Sequence, residues 1–213
     1  MDVEWLIERF RLEELPVEGG YYCETYLSEE SIAAEDLPDR YGVEKPFGTA
    51  MFYLLTADSD SFSAMHKVPT DEIFHFYLGD PVEMLLLFPD GRSERIILGQ
   101  DLMKDQFVQY AVPRDVWQGS HLLPGGEWAL LGTTMAPGWT YDDFQGATRE
   151  KLIPQYPDQA DLIRQLTNPE LPLRMRASDQ RPVSSKVYAV NSKLELSGSR
   201  TTPTGGANCK RVD

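Results

Sequence analysis

Cysteine is scarce in this sequence, which has only Cys23 and Cys209 in 213 residues. A disulfide-stabilised secreted scaffold is therefore not indicated, and no cysteine spacing matches a thiolate zinc site. No apolar run approaches the roughly 20 residues that a membrane-spanning helix needs. The first residues, MDVEWLIERF, are acidic and amphipathic and have no basic n-region of a signal peptide. These absences predict a cytoplasmic protein without a membrane partner.

Basic residues are also few. The chain has 20 Lys and Arg against 34 Asp and Glu, so its formal net charge is −14. A field of this sign repels nucleic acids and anionic membranes, and no cluster of Lys or Arg offsets it locally. We therefore expect no nucleic-acid partner. An anionic substrate would need local cations, for which Lys67 and Arg114 are the candidates near a pocket rim.

The apolar pattern changes period along the chain. The first residues show one helical face, formed by Val3, Leu6, Ile7 and Phe10. From Tyr21 the period becomes two, which predicts strands near 21–27, 49–56, 61–67, 72–78, 82–88, 93–98, 107–112, 116–121 and 128–135. Asp90-Gly91 supplies the positive φ values of a tight hairpin turn between two of them. Many short strands without intervening helices predict an all-β sandwich or barrel.

The strand pattern fades after Pro137. Leu162, Ile163 and Leu166 share one helical face, which predicts a short helix within residues 158–167. Residues 176–213 are rich in Ser, Thr, Arg and Lys, and their few apolar side chains suit one short strand over residues 187–196. We therefore predict one domain over residues 1–167 and a polar C-terminal extension over residues 168–213.

One of the three histidines lies in an informative segment. Alternation places His66 and Val68 on one strand face, and it places Glu72, Phe74 and Phe76 on one face of the next strand. If both faces point into a barrel, an imidazole and a carboxylate share an apolar interior. There they form a general acid/base pair or ligate a metal. The alternative is a buried hydrogen-bonded pair that only orders the core.

Residues 66–79 resemble the first cupin motif, in which two histidines one residue apart precede a glutamate and a glycine. His66, Glu72 and Gly79 match this motif, while Val68 stands at the second histidine position. The second cupin motif falls on PRDVWQ, residues 113–118, where Gln118 stands at the usual histidine.

Segments along most of the chain resemble one narrower family, the cupin-like family five, formerly a domain of unknown function. They are GGYYCETY (19–26), TAMFYLLT (49–56), DEIFHFYLGDPVEMLLLFPDGRSERIILG (71–99), VPRDVWQGSHL (112–122) and ALLGTTMAPGW (129–139). The resemblance covers roughly residues 4–167, and Cys23 stands where the family usually has arginine. It implies a single jelly-roll barrel, commonly a homodimer, similar in fold to the dTDP-sugar epimerases. With the helices above, the predicted fold is an all-β jelly roll with an N-terminal helix and a short C-terminal helix.

The resemblance also bears on cofactors. In metal-binding cupins, three histidines and a glutamate hold the metal. This sequence keeps His66 and Glu72, offers only an amide oxygen at Gln118, and offers no ligand at Val68. We therefore expect no tightly bound metal; a divalent metal, if bound, would use His66, Glu72 and Gln118.

Aromatic side chains are further ligand-binding candidates, because aromatic walls with a few polar groups are typical of small-molecule pockets. These candidates are Tyr53, Phe62, Phe74 and Phe76, together with Gln118 and His75. Core packing is the alternative for the aromatic residues. His75 lies three residues after Glu72, so it faces away from the interior unless a bulge shifts the register, and a subunit interface is its alternative place.

Two classes of function remain open at this stage. In the first, the barrel is an isomerase or epimerase of a carbohydrate or sugar-nucleotide-like molecule, with His66 as general base and Glu72 orienting or protonating it. In the second, it is a non-catalytic ligand-binding or sensor module, which the loss of cupin metal ligands favours. A weakly metal-dependent cupin enzyme is a third alternative. Each takes a small polar organic molecule as its ligand.

Overall fold

The structure is a computed structural model that describes residues 2–16, 18–58, 61–170 and 173–174. Its helices are α1 (Val3–Phe10), α2 (Arg149–Leu152) and α3 (Ala160–Gln165), and 3₁₀ turns lie at Ala34–Asp36, Leu102–Lys104, Tyr141–Asp143 and Pro157–Gln159. Its strands are β1 (Glu13–Glu14), β2 (Tyr21–Leu27), β3 (Ser31–Ile32), β4 (Lys45–Pro46), β5 (Thr49–Thr56), β6 (Ser63–Lys67), β7 (Glu72–Gly79), β8 (Val82–Leu87), β9 (Ser93–Leu98), β10 (Gln109–Val112), β11 (Trp117–Leu122), β12 (Trp128–Met135) and β13 (Gln145–Gly146).

Two antiparallel sheets form the barrel. The six-stranded sheet has the order β1-β2-β5-β12-β7-β10, and the five-stranded sheet has the order β13-β6-β11-β8-β9. Successive strands cross from one sheet to the other, as β5 to β6, β6 to β7 and β11 to β12 do. This crossing pattern is that of a jelly roll. The predicted all-β jelly-roll fold is confirmed.

The main core lies between the inner faces of the two sheets. The six-stranded sheet contributes Tyr53, Phe74, Phe76 and Leu131, and the five-stranded sheet contributes Met84, Leu86, Ile96 and Leu98. These side chains alternate with outward-facing neighbours along each strand, as burial of one sheet face requires. The hairpin between β8 and β9 turns where the sequence predicts it, with Gly91 at φ 88°.

Helices cover part of each outer face. The side chain of Asp2 caps α1 by accepting from the backbone N–H of Glu4 at 3.0 Å, and Leu6 of α1 packs against Leu54 and Leu130 of the six-stranded sheet. On the other side, Leu152 of α2, Leu162 and Ile163 of α3, and Leu166 directly after α3 pack against Met65, Leu85, Leu87 and Trp117. Both predicted helices are therefore present. None of the helices in the described residues is long and apolar enough to cross a membrane.

The polar extension lies largely outside the described residues, as do the strand predicted over residues 187–196 and Cys209. Of the extension, the structure describes residues 168–170 and 173–174. There the carbonyl oxygen of Leu173 accepts from the backbone N–H of Gly146 at 2.9 Å, and Arg174 forms an isolated bridge with Gln145. The domain boundary at residue 167 stays a prediction.

Candidate functional site

A pocket opens between the inner faces of the two sheets. Its aromatic lining consists of Tyr22, Tyr53, Phe74, Trp139 and Phe144. Its polar lining consists of Glu18, His66, Glu72 and Thr133, and Leu15, Met51 and Val68 complete it. An apolar pocket with a few convergent polar groups is the usual form of a small-molecule site.

His66 reaches this pocket from β6 and is only 3% exposed. Its Nδ1 atom lies 2.8 Å from the carbonyl oxygen of Ala64. A carbonyl oxygen can only accept, so Nδ1 donates this hydrogen bond. The ring also stacks on Phe144, with the centroids 5.3 Å apart and an interplanar angle of 20°. The imidazole is therefore fixed in one orientation.

Gln118 joins His66 to Glu72. It lies on β11 directly opposite His66 on β6, and its Nε2 atom is 3.2 Å from Nε2 of His66. The same nitrogen donates to Oε2 of Glu72 at 2.6 Å. The amide therefore uses both of its N–H groups, while its buried Oε1 has no hydrogen-bond partner in the described part of the chain. We refer to these three side chains as the His66–Gln118–Glu72 network.

Burial dominates the electrostatics of the pocket. It raises the pKa of the Glu72 carboxyl above its ordinary value, while the nearby His66 ring opposes this shift and the Glu18 carboxylate adds to it. Oε1 of Glu18 lies 3.8 Å from Nδ1 of His66 and accepts from Oγ of Ser63 at 2.6 Å. Burial likewise raises the pKa of the Tyr53 phenol well above its ordinary value. The pocket thus favours the protonated form of its buried acids.

One wall of the pocket comes from the loop that follows β12. This loop supplies Trp139 and Phe144 to the lining. The rings of Trp139 and Tyr141 lie 4.7 Å apart, and the hydroxyl of Tyr141 is 3.0 Å from that of Tyr22 on β2. The loop therefore closes the pocket against β2, near one edge of the six-stranded sheet, through aromatic side chains.

A buried ion pair anchors this loop. Lys45 on β4 has no exposed side-chain surface, and its Nζ atom lies 2.5 Å from Oδ1 of Asp143. It also donates to the hydroxyl of Thr140. Thr140 and Asp143 in turn form a capping box around the Tyr141–Asp143 turn. Lys45 is therefore tied to both ends of the turn that precedes Phe144.

The structure brings five of the eight predicted site residues together. His66, Glu72, Tyr53 and Phe74 line the pocket, and Gln118 is bonded to two of them. The sequence did not single out several other lining residues, namely Leu15, Glu18, Tyr22, Met51, Thr133, Trp139 and Phe144. Tyr22 is the one that could have been predicted. It lies on β2 directly opposite Tyr53 on β5, so the two side chains share a sheet face.

The remaining three predicted residues lie away from the pocket. Phe76 is on the inner face, as alternation predicts, but it packs within the hydrophobic core. Phe62 packs outside the barrel against the cluster that contains Met65 and Trp117. The reason is a bulge: β11 pairs Gln118 with His66 and then Ser120 with Ser63, which reverses the expected alternation before residue 63.

His75 faces outward from β7. Its Nε2 atom lies 3.0 Å from the hydroxyl of Thr134, and its Nδ1 atom accepts from the amide of Gln109 at 3.1 Å. The ring is stacked 6.2 Å from that of Tyr77. The pairing of β7 with β12 changes register between Phe76 and Leu78, which follow His75 along the strand. This bulge therefore does not turn the His75 ring toward the pocket. The structure thus places it on the face that simple alternation predicts, away from a ligand in the pocket.

The two basic residues considered for the rim are also directed elsewhere. Nζ of Lys67 lies 3.3 Å from Oδ1 of Asp115 and 5.3 Å from the centroid of Trp117, which belongs to the outer cluster. Arg114 is exposed, and it bonds Asp71 through its backbone N–H. Neither is among the residues that line the pocket.

The residues at the cupin metal positions do not fit a metal centre. Among the described residues, no group of three or more His, Cys, Asp or Glu side chains is placed to hold a metal ion. Val68 lines the pocket with an aliphatic side chain, and Gln118 directs its amide nitrogen, which cannot ligate, at both His66 and Glu72. Catalytic zinc, by comparison, has three protein ligands. The expected lack of a tightly bound metal stays a prediction.

Two packed sheets with a pocket between their inner faces define a barrel of the cupin type. Residues 4–147 match the family model described as "Cupin superfamily (DUF985)", and the chain belongs to this family. The resemblance inferred from the sequence is thereby confirmed. The chain is also 30% identical to the uncharacterized protein YML079W of Saccharomyces cerevisiae over 135 residues, which are 59% of this chain and 66% of the yeast protein.

Solved structures show the same fold. Protein SO0799 from Shewanella oneidensis matches with a TM-score of 0.69 and 26% identity, over 80% of this chain and 99% of that one. A hypothetical protein from Leishmania major matches with a TM-score of 0.68 and 27% identity, over 78% of this chain and 99% of that one. A dTDP sugar isomerase from Desulfovibrio desulfuricans also matches, with a TM-score of 0.43 and 20% identity over 68% of this chain and 92% of that one.

Proposed function

We propose that this cupin barrel binds a small polar organic molecule in the pocket between its sheets. The observation that carries the proposal is the His66–Gln118–Glu72 network, in which two members line the pocket and the third has an unpartnered amide oxygen. A buried polar atom without a partner costs roughly 1–3 kcal/mol. A ligand in the pocket can hydrogen-bond to His66 and Glu72, which line it, and so engage this incompletely satisfied network.

A retention experiment tests the binding function. The protein is equilibrated with a metabolite extract and desalted, and the retained and consumed compounds are identified by mass spectrometry. The pocket variant is His66→Asn, and its matched control is His121→Asn, because His121 lies on the outer face and bonds Oε2 of Glu83 at 3.1 Å. We expect wild type and His121→Asn to retain the same compound and His66→Asn to lose it with little change in Tm. Retention of nothing, or equal retention by all three proteins, contradicts the proposal.

The pairing of an imidazole with a buried carboxyl favours a second candidate, an isomerase or epimerase that moves a proton at carbon. The imidazole of His66 is the candidate general base, and the raised pKa of Glu72 lets that carboxyl keep a proton and act as an acid. In the structure, the amide nitrogen of Gln118 is hydrogen-bonded to Nε2 of His66 at 3.2 Å. A substrate must therefore displace this hydrogen bond before proton abstraction begins.

Hydrogen exchange separates the two candidates. The retained compound is incubated with the protein in D₂O, and its carbon-bound hydrogens are followed by NMR. Exchange that His66→Asn abolishes and His121→Asn preserves supports the isomerase. A compound that is retained without exchange or consumption supports the binding or sensor module.

We also propose that the chain forms a homodimer through the outer face of β7. On this strand Ile73, Tyr77 and Leu78 are 36%, 39% and 42% exposed, and the neighbouring Val108 is 45% exposed. The carbonyl oxygen of Val108 accepts from the backbone N–H of Phe76 at 2.8 Å, so these side chains lie close together. An exposed apolar patch of this kind commonly marks an interface.

A further inference from the structure

The pocket lining is acidic and holds no strongly basic side chain. Glu18 and Glu72 face the cavity, and of the lining residues that the structure describes none is Lys or Arg. In the observed arrangement, both ring nitrogens of His66 already have partners, Nδ1 at the carbonyl oxygen of Ala64 and Nε2 at the amide of Gln118. The two carboxyl groups also repel each other, since Glu18 adds to the raised pKa of Glu72. The lining residues that the structure describes therefore offer carboxyl groups and no fixed positive charge from Lys or Arg.

A third carboxyl group lies on the same sheet face. Glu24 on β2 is directly opposite Met51 on β5, and residues opposite each other in a sheet share a face. Met51 lines the pocket, as does Tyr22, two residues before Glu24 on the same strand. The Oε1 atom of Glu24 is buried and has no hydrogen-bond partner among the described residues. Burial alone raises the pKa of this carboxyl, without a compensating cation.

The lysines near these acids are engaged elsewhere. Lys45 is the deeply buried lysine nearest the pocket loop, and it is paired with Asp143. Lys67 is paired with Asp115 on the outer side of β6. The acids of the pocket therefore lack the counter-charge that buried carboxylates normally have.

The aromatic lining suits the same kind of ligand. Five aromatic rings, those of Tyr22, Tyr53, Phe74, Trp139 and Phe144, surround the pocket. The faces of such rings attract cations, most strongly in desolvated sites, and aromatic cages of this composition bind quaternary ammonium groups. Phosphate groups find neither a Lys nor an Arg here and meet like charge instead.

We infer that the ligand of this pocket carries a positive charge and belongs to the small organic ammonium compounds, an inference that rests on the proposed binding function. The ammonium group lies among the aromatic rings, within reach of the carboxyl groups of Glu18 and Glu72. Its entry supplies the counter-charge that these acids lack. This ligand class differs from the sugar-nucleotide-like molecule expected from the sequence, whose pyrophosphate would meet no Lys or Arg among the described lining residues.

Two probes of the same shape, one charged and one neutral, separate the effect of the ligand's charge from that of its size. Choline is titrated against the full-length protein by calorimetry, beside dimethylbutanol, in which a carbon atom replaces the charged nitrogen, and beside inorganic pyrophosphate. We expect choline to bind at least about tenfold more tightly than dimethylbutanol, and pyrophosphate not to bind. Glu18→Gln should weaken choline binding about tenfold and leave dimethylbutanol unchanged. Glu35→Gln makes the same charge change at an exposed residue and should alter neither.

The outcomes are distinguishable. Equal binding of choline and dimethylbutanol, or binding of pyrophosphate, overturns the inference and leaves the pocket a ligand site. Failure of all three probes also overturns the inference, while the proposed binding function is decided separately by the retention experiment with the metabolite extract. If Glu18→Gln does not fold, because the carboxylate no longer bonds Ser63, Glu24→Gln provides the second variant with the same expected loss of choline affinity.

Discussion

A side-chain hydrogen bond between Gln118 and Glu72 joins the two sheets of the barrel. Gln118 lies on β11 of the five-stranded sheet, Glu72 begins β7 of the six-stranded sheet, and the amide nitrogen is 2.6 Å from Oε2 of the carboxyl group. A side-chain bond between buried groups is strengthened by the low local dielectric, and an unmade one is correspondingly costly. This bond holds the sheets together at the point where the pocket opens between them. It also sets the orientation of the Gln118 amide, whose nitrogen also lies within hydrogen-bond distance of Nε2 of His66.

Removing this amide should destabilise the fold. In Gln118→Leu, Oε2 of Glu72 loses its donor while remaining buried, so we expect the free energy of unfolding to fall by about 1–3 kcal/mol. Urea denaturation measures the change. The matched control is Gln155→Leu, at an exposed residue, where a change within about 0.5 kcal/mol is expected. Equal effects of the two substitutions would show that the bond between Gln118 and Glu72 contributes nothing.

The carboxyl of Glu72 should give stability a defined pH dependence. Its pKa in the folded chain lies above the ordinary value of 4.5, so over the interval from 4.5 to the raised pKa the folded chain binds more protons than the unfolded chain. The contribution of this group to the free energy of unfolding is therefore full below pH 4.5 and is lost as the pH rises through the raised pKa. Glu72→Gln should flatten this decline in urea titrations across pH. Glu35→Gln, at an exposed acid, should not; if both variants retain the wild-type slope, Glu72 is not its source.

The sequence predicts most strands, and the inward-facing pair His66 and Glu72, because both follow from the two-residue period of a strand. Alternation is local, so it places His66 and Glu72 on inner faces without knowledge of the fold. It fails at Phe62, because a bulge between β6 and β11 depends on the pairing of strands more than fifty residues apart. It also gives no sign of Trp139 or Phe144, which reach the pocket from a loop that has no period.

The loop that carries Trp139 and Phe144 should depend on the buried ion pair between Lys45 and Asp143. Lys45→Met leaves the Asp143 carboxylate buried without its partner, and we expect a loss of about 3–5 kcal/mol in the free energy of unfolding. The double variant Lys45→Met/Asp143→Leu should recover much of this loss, because neither charge remains. A double-mutant cycle by urea denaturation gives the coupling. Additive effects of the two single substitutions would mean that the pair is not coupled.

The proposed dimer face makes a prediction about oligomeric state. Ile73→Lys introduces a charge at a 36% exposed position on the outer face of β7, where desolvation in an interface would penalise it. Sedimentation velocity should show a dimer for wild type and a monomer for this variant. Trp5→Lys, at a 50% exposed position on α1, serves as the control and should stay dimeric. A monomeric wild type, or a dimeric Ile73→Lys variant, contradicts the assignment of this face.

Histidines at residues 68 and 118, the two cupin ligand positions that hold Val and Gln here, should create a tight metal site. Val68 lines the pocket next to His66 in the alternation of their strand, and Gln118 is directly opposite His66, so imidazoles at both positions would face the same space. After soaking in iron, manganese, nickel or zinc, wild type should hold little metal by mass spectrometry, since one imidazole and one carboxylate bind such ions weakly. The variant Val68→His/Gln118→His should approach one equivalent and lose it on adding His66→Ala. Near-stoichiometric metal in wild type that His66→Ala removes would instead make Gln118 a ligand through its unpartnered oxygen, and would return metal-dependent chemistry to this pocket.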